Sequence, residues 1–372
     1  MQCIRVGVIG AGGVAQVEHI PNLLKLHRQF EVLGVYDPSQ KVRVFVEEEF
    51  GLRTFAELDE LLAMPLDAVV IASPDALHLE QSLAALAKGL HVFCEKPLCY
   101  GVQDIDELIA ARDRAGKVLQ VGYMKRFDPS YEAALKMLPG TARTLRYISV
   151  EVNDPDAWPF IRHASSCRGD DVAAELIAST EARQREQVDR AVPGIDDPNA
   201  FRGFVGAYCS SIVHDVNAIH GLLDALGIAD GEIVGAWLFA KGEGGQGAVR
   251  LLNGQALWNM VHIATPRLPE YRERITLYFD DASLELEFPS PYLNHQPTRL
   301  TIRTGGGHTL SSRDIRSGYE EAFVEELKGF WSAVVEGAPA RNTAEHARRD
   351  MTLLAGLARH HLAQSKQSGV RP

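Results

Sequence analysis

At 372 residues the chain is long enough for two or three domains, each with a core of its own. Its composition, 46% hydrophobic and 23% charged, is that of a globular enzyme, and 38 basic residues against 49 acidic ones leave a net charge of −11. An acidic surface repels phosphate backbones and anionic lipid, which excludes a general nucleic-acid or membrane-surface role.

The longest unbroken apolar run, residues 68–72, is far short of the ~20 residues of a membrane span. No secretory leader is expected, because residues 4–9 already read as a strand. Cys3, Cys94, Cys99, Cys167 and Cys209 are odd in number and form no C-x-x-C pair. Neither a disulfide framework nor a structural metal is therefore expected, and a reducing cytoplasm is the expected setting.

Strand and helix signals alternate through residue 124. Apolar runs at 4–9, 32–36, 68–72, 91–94 and 118–121 predict strands, and the stretches 14–27, 40–49, 76–88 and 102–115 predict helices. Strands apolar on both faces, separated by amphipathic helices, imply a parallel sheet covered on both sides. Right-handed crossovers make that sheet doubly wound.

The pattern changes after Gly122. Residues 146–152 read as a strand, followed by a loop rich in Asp and Pro. Residues 171–191 read as a polar helix with Val172, Leu176, Ile177 and Val188 as its apolar anchors, either a lid or an oligomer contact. A break at 196–199 precedes an apolar helical stretch at 201–226. Strand-like runs follow at 233–239, 248–252, 257–263, 274–279, 283–288 and 299–303, with Asp280-Asp281 as a hairpin turn. Helices at 319–336 and 343–363 close the chain, and the tail after Gln364 reads as frayed. The expectation is α/β throughout: a doubly wound domain over 1–124, then an α/β domain over 125–372 with an open, mostly antiparallel sheet. The terminal helices can pack back on the first domain.

The first strand runs into Gly10-Ala11-Gly12-Gly13-Val14-Ala15, a G-x-G-x-x-A where a strand becomes a helix. Gly10 permits the tight turn, Gly12 lets the backbone approach a pyrophosphate, and Ala15 lets the helix pack on the strand. Gly13, Val14 and Ala15 lie where a helix N-terminus offers unpaired N–H groups to phosphate. Asp37 follows the second strand, at about the 20-residue distance where an acid accepts hydrogen bonds from ribose hydroxyls. The bland alternative is a glycine turn with Asp37 capping the helix after Pro38 and Ser39. A carboxylate at position 37 favours NAD and repels a 2′-phosphate, whereas Lys41 and Arg43 are near enough in sequence to pair with one, so NADP stays open.

Val70-Ile71-Ala72-Ser73-Pro74 with His78, then Glu95-Lys96-Pro97-Leu98, and then Val121 through Pro129 (VGYMKRFDP) resemble the Gfo/Idh/MocA oxidoreductases. The resemblance extends over nearly the whole chain, through the stretch around His214 and the late sheet. It implies an N-terminal Rossmann domain that binds the dinucleotide and a C-terminal domain that supplies substrate contacts. Members oxidise or reduce a carbinol carbon of a sugar or cyclitol. It also implies a cis bond before Pro97.

Lys96 follows the strand 91–94, at the sheet edge where doubly wound folds bind ligands. In an extended segment Glu95 and Lys96 point to opposite sides. Hydride leaves a carbinol carbon as its hydroxyl proton is removed, so a cation and a base are expected at that oxygen. Lys96 suits the first role, and the resemblance puts His214 in the position of a catalytic histidine. Asn217 lies one turn on from His214, on the same helical face. Many members carry an aspartate four residues before this histidine; here the residue is Ser210, which cannot hold an imidazolium by charge. Lys96 alone, Tyr208 or a loop carboxylate would then handle the proton. Asp215 points off that face and reads as structural.

Arg126, beside Lys125 at the domain junction, is a substrate-contact candidate or an interdomain ion-pair partner. Ser73, Pro74, His78 and Glu95 join the cofactor contacts by resemblance, and His78 would order the loop beside the nicotinamide ribose or cap a helix. Glu151, Asp154 and Asp156 form an acidic loop, solvated or attracting a cationic substrate. His360 and His361 read as surface. The expected function is NAD(P)-dependent oxidation of a secondary alcohol of a sugar, cyclitol or related polyol by a homodimer or homotetramer. The rivals are an enzyme that retains its NAD through elimination, epimerisation or glycosidic cleavage, and a non-catalytic sugar or NAD sensor.

Overall fold

The computed structural model describes residues 2–155 and 157–368. The chain forms two compact units. The first comprises the residues up to Tyr123 with Ile161–Ala191 and Phe323–Arg348; the second comprises Met124–Phe160, Val192–Ala322 and the residues from Arg349 on. This partition is discontinuous: Ile161–Ala191 and Phe323–Arg348 fall with the first unit.

The first unit is built on six parallel strands: β1 (Ile4–Ile9), β2 (Phe30–Tyr36), β3 (Thr54–Phe55), β4 (Ala68–Ile71), β5 (His91–Glu95) and β6 (Leu119–Gly122), in the order β3-β2-β1-β4-β5-β6. All four residues of β4 are buried, as a strand covered on both faces requires. Its helices are α1 (Ile20–Lys25), α2 (Gln40–Phe50), α3 (Leu58–Leu62), α4 (His78–Ala87) and α5 (Val102–Ala115). Ser39 caps α2 by accepting from Val42 N–H at 3.1 Å, and Gly51 ends it at φ +65°. Sequence periodicity missed β3 and α3, which are too short to show a period.

Two later segments complete this unit. On α11 (Ala322–Val335), Val324, Leu327, Phe330 and Trp331 join Ile4, Val6, Val8 and Phe93 in one core. Val121 N–H donates to Asn342 O at 2.9 Å, so the chain covers the β6 edge, which would otherwise present unpaired backbone groups. The polar helix α8 (Ala174–Ala191) buries only Gln187, Val188 and Ala191. Gln187 donates to Ala76 O at 3.0 Å, and Gln184 to the Tyr100 hydroxyl at 2.7 Å.

The second unit holds an eight-stranded sheet ordered β14-β13-β12-β11-β7-β10-β9-β8. Its strands are β7 (Leu145–Asp154), β8 (Glu232–Leu238), β9 (Gly244–Leu251), β10 (Ala256–Ala264), β11 (Arg272–Phe279), β12 (Ala282–Phe288), β13 (Arg299–Gly306) and β14 (Thr309–Ile315). Only β7 and β10 pair in parallel; the other pairings are antiparallel, and Asp280-Asp281 turns β11 into β12. Trp258, Met260 and His262 of β10 lie on a buried face with Ile148, Val150 and Val152 of β7. Trp237, Ile263 and Tyr278 are among the most exposed large apolar side chains of the sheet.

The unit also contains α6 (Pro129–Lys136), α9 (Pro198–Arg202), α10 (Val213–Leu226) and, from Arg349 on, α12 (Ala344–Ser368); the short α7 (Trp158–Ile161) precedes α8. The stretch expected as one helix over 201–226 is three elements. Asp197 caps α9 where a break was expected, Gly203–Ile212 is π-helical, and α10 follows. The final helix runs past Gln364 to Ser368. No helix among the described residues is long and apolar enough to cross a membrane.

Candidate functional site

In the first unit β1 ends at Gly10, whose φ of +86° is open to glycine at little cost. A Cβ there would sit 2.7 Å from Ser73 Cα and N, so the turn also needs the missing side chain. A Cβ at Gly12 or Gly13 meets nothing within 4 Å, which leaves an open cradle over the first helical turn at Gly13-Val14. Within Ala15–His19 that helix turns π-helical before α1. Asp37 reaches the turn from the end of β2, accepting from Ala11 N–H through Oδ2 and from Ser39 N–H through Oδ1, both at 2.9 Å. Burial raises its pKa against these two bonds. Ser39, not Asp37, is the cap of α2. Open backbone over a helix start, with a carboxylate alongside, fits the pyrophosphate and ribose of a dinucleotide.

Beside the turn, β4 leads into Ser73 and the exposed Pro74. His78 is fully buried, with Nε2 3.0 Å from Ser73 O and Nδ1 2.8 Å from Pro97 O. Carbonyl oxygens only accept, so both ring nitrogens must carry protons. Burial works against that charge, but Cys94, Asp75 and the Pro97 carbonyl outweigh it and raise the pKa to about 10. His78 thus ties the Ser73 loop to the segment after β5. The Lys96–Pro97 bond is cis.

Glu95, expected among the cofactor contacts, is only 6% exposed and faces the interior. Its Oε1 lies 2.7 Å from His19 Nε2, and its Oε2 accepts from Lys96 N–H at 3.1 Å. Burial pushes its pKa up, yet the His19 bond and the neighbouring positive groups bring it below the usual carboxylate value. Glu326 completes a buried triad with His19 and Glu95, all three ligand atoms lying within 4.8 Å of one another. Burial and the charges of Glu95 and Glu18 hold the Glu326 pKa well above its ordinary value. Lys96 itself is half-buried, just past the carboxyl end of β5.

In the second unit His214 is half-buried at the start of α10, directly after the π-helical stretch. Asn217, expected to share a substrate-facing surface with His214, is fully buried and donates to Asp350 Oδ2 at 2.8 Å. His220 Nδ1 lies 2.6 Å from Asp350 Oδ1. The i, i+3 spacing that pairs Asn217 with His220 turns both toward α12. Tyr208 is fully buried in the π-helical stretch, and its hydroxyl donates to Gln246 O at 2.7 Å. Burial raises its pKa above the ordinary tyrosine value. Arg126 is half-buried against α10, where a Cβ on Gly221 would meet its guanidinium and the Tyr131 hydroxyl.

Sequence reasoning missed a buried cluster. Lys125 Nζ lies 3.3 Å from Asp215 Oδ1 and pairs with Glu273 Oε1. Glu273 Oε2 accepts from the Tyr271 hydroxyl at 2.8 Å. Glu273 and His262 flank Val152 on either side, so the three form one row across β11, β7 and β10. Burial raises the Asp215 pKa against the pull of Lys125. A charged residue inside an otherwise alternating strand was the only available signal for Glu273. Asp154 lies 3.5 Å from His262 Nε2, and Glu151 pairs loosely with Arg272 at 3.9 Å; Asp156 falls outside the described residues. His361, expected at the surface, is buried and accepts from Leu238 N–H at 3.3 Å.

Residues 4–123 match the model of the Gfo/Idh/MocA oxidoreductase family, NAD-binding Rossmann fold. The inositol 2-dehydrogenase 3 of Saccharopolyspora erythraea is 37% identical over 130 residues, 34% of this chain and 38% of that protein. The glucose-6-phosphate 3-dehydrogenase of Bacillus subtilis is 32% identical over 134 residues, 36% and 37% of the two chains. The matched region thus spans under half the length of these relatives. Over almost the full chain the fold is that of KijD10, a 3-ketoreductase from Actinomadura kijaniata solved with NADP and TDP-benzene: TM-score 0.71, 19% identity, 96% of this chain and 98% of that one.

Proposed function

We propose that the chain, whose residues 4–123 match the Gfo/Idh/MocA oxidoreductase model, moves a hydride between NAD and a secondary alcohol or ketone of a sugar, cyclitol or related polyol. One observation carries the reading: Lys96 follows β5 at the same carboxyl edge where the glycine turn leaves β1, in one parallel sheet. Ligands of doubly wound sheets bind along that edge. The inositol and glucose-6-phosphate dehydrogenases among the relatives support the substrate class.

Gly10, Gly12, Gly13, Val14 and Ala15 would hold the pyrophosphate and Asp37 the ribose hydroxyls, while Ser73 and Pro74 border the turn. The nicotinamide supplies a hydride acceptor or donor. Lys96 donates a hydrogen bond to the substrate oxygen and holds its negative charge as the hydroxyl proton leaves. Glu95 and His78 keep the lysine's segment in place without touching substrate. His214 is the candidate to take that proton, and Arg126 a candidate substrate contact. The exposed apolar side chains of Trp237, Ile263 and Tyr278 on one face of the sheet support assembly into a dimer or tetramer, readable by light scattering. Five free thiols suit a reducing cytoplasm.

The test is NADH formation against sugars, inositols and aminocyclitols, repeated with Lys96→Met. That variant should bind NADH and lose about 10²–10⁴ in turnover. Unchanged turnover removes Lys96 from the chemistry, and a dead wild-type enzyme that still binds NADH removes the proposed activity.

A further inference from the structure

In the first unit the residues that follow Asp37 are the natural seat for an anion. Ser39 opens α2, an eleven-residue helix, and Lys41 and Arg43 lie in its first turns. A dinucleotide whose ribose 2′-oxygen faced Asp37 would direct a 2′-phosphate toward these donors, since Ser39 N–H already bonds the Asp37 carboxylate.

A segment 130 residues later in the chain takes every one of them except Arg43, which is taken locally. Asp171 Oδ1 accepts from the Ser39 hydroxyl, and Asp171 Oδ2 from Lys41 N–H at 3.0 Å. Asp170 holds the Lys41 ammonium at 2.6 Å. Arg43 donates to the carbonyls of Asp37 and Pro38, at 2.8 and 3.0 Å.

The segment is anchored just before these contacts. Gln16, on the helix that follows the glycine turn, exchanges two hydrogen bonds with the Cys167 backbone, at 2.7 and 2.9 Å. Gly169 packs so closely on Ser39 that a Cβ would lie 2.9 Å from the serine Cβ. The acids are therefore held in place by backbone contacts as well as by their own charge.

We propose that Asp170 and Asp171 are specificity residues: they fill the anion seat at the start of α2 with carboxylates and so exclude a 2′-phosphate, making the chain selective for NAD over NADP. The proposal rests on the dinucleotide reading above. Two negative charges repel a phosphate, and Asp170 also pairs with the Lys41 ammonium that would otherwise attract it. Asp37 alone leaves Lys41 able to pair with a phosphate; Asp170 removes that option.

The experiment is titration of NADH and NADPH by nicotinamide fluorescence on the full-length protein, wild type and Asp170→Ser/Asp171→Ser. The quantity read is the ratio of the two dissociation constants. NADPH should bind the wild type at least about tenfold more weakly than NADH, and the double variant should lower that ratio at least about tenfold. Asp171→Asn keeps an acceptor for Lys41 N–H without the charge and should lower it part of the way, which guards against a misfolded double variant. Equal wild-type affinities, or a ratio that no variant moves, overturn the proposal and leave the dinucleotide reading intact. Absence of binding by either nucleotide to the wild type overturns both.

Discussion

The ammonium of Lys125 lies 3.3 Å from Asp215 Oδ1 of α10, with the carboxylate of Glu273 closing on it from β11. All three side chains are at most 5% exposed. One cation between two buried acids is an arrangement that tolerates no deletion. Lys125→Met would leave two carboxylates facing each other without a counter-charge, and removal of one partner from a buried pair costs about 3–5 kcal/mol. Urea denaturation should show the loss directly. Asp215→Asn, which keeps one carboxylate for the lysine, should cost less.

Gly10→Ala tests the turn that ends β1. The substitution puts a side chain at φ +86° and drives its Cβ against the backbone of Ser73, which cannot swing aside as a side chain can. The backbone conformation alone costs about 1–2 kcal/mol, and the collision adds to it. Thermal unfolding should shift down, and NADH affinity should fall because the loop that carries Ser73 has to move.

The charge on His78 gives a pH dependence. Its folded pKa is about 10 against an ordinary 6.5, so the folded state holds the proton more tightly than the unfolded one. The stabilisation is full below about pH 6.5 and is lost as pH rises toward 10. The difference in unfolding free energy between wild type and His78→Gln should therefore shrink across that window. A difference that stays flat from pH 6.5 to 10 rejects the imidazolium.

Asp350 joins two donors of α10 to α12. Asp350→Ala would strand the Asn217 amide and the His220 ring in a buried setting, each bond to a charged acceptor being worth about 1.5–3 kcal/mol. Asp350→Asn keeps one acceptor and should lie between. Denaturant midpoints of the two variants check the ordering.

The parts of this fold written in local pattern were legible beforehand. Ile4–Ile9 and Val102–Ala115 have the bounds their apolar spacing predicts. Thr309–Ile315 was missed because six of its seven residues are exposed, with no buried face to set a period of two. The π-helical stretch was read as ordinary helix because it is apolar nearly all round.

The candidate site divides in the same way. The glycine turn and Asp37 obey a spacing rule and could be found by counting. Lys125 and Glu273 are 148 residues apart, and the Asp171 contact to Ser39 spans 132; neither has a local signature. Asn217 shares a helical face with His214 yet bonds Asp350 on another helix, 133 residues away, a partner that no local pattern announces.

The π-helical segment Gly203–Ile212 ends on a bond from Val213 N–H back to Tyr208 O, five residues earlier. Within such a stretch the hydrogen bond closes over five residues rather than four, so each turn holds more residues than an ordinary one. Counting back four from His214 to Ser210 assumes the pitch of an ordinary helix, whereas the chain between them is wound more widely. A partner for His214 is therefore to be sought by superposing backbones across these ten residues rather than by offset alone.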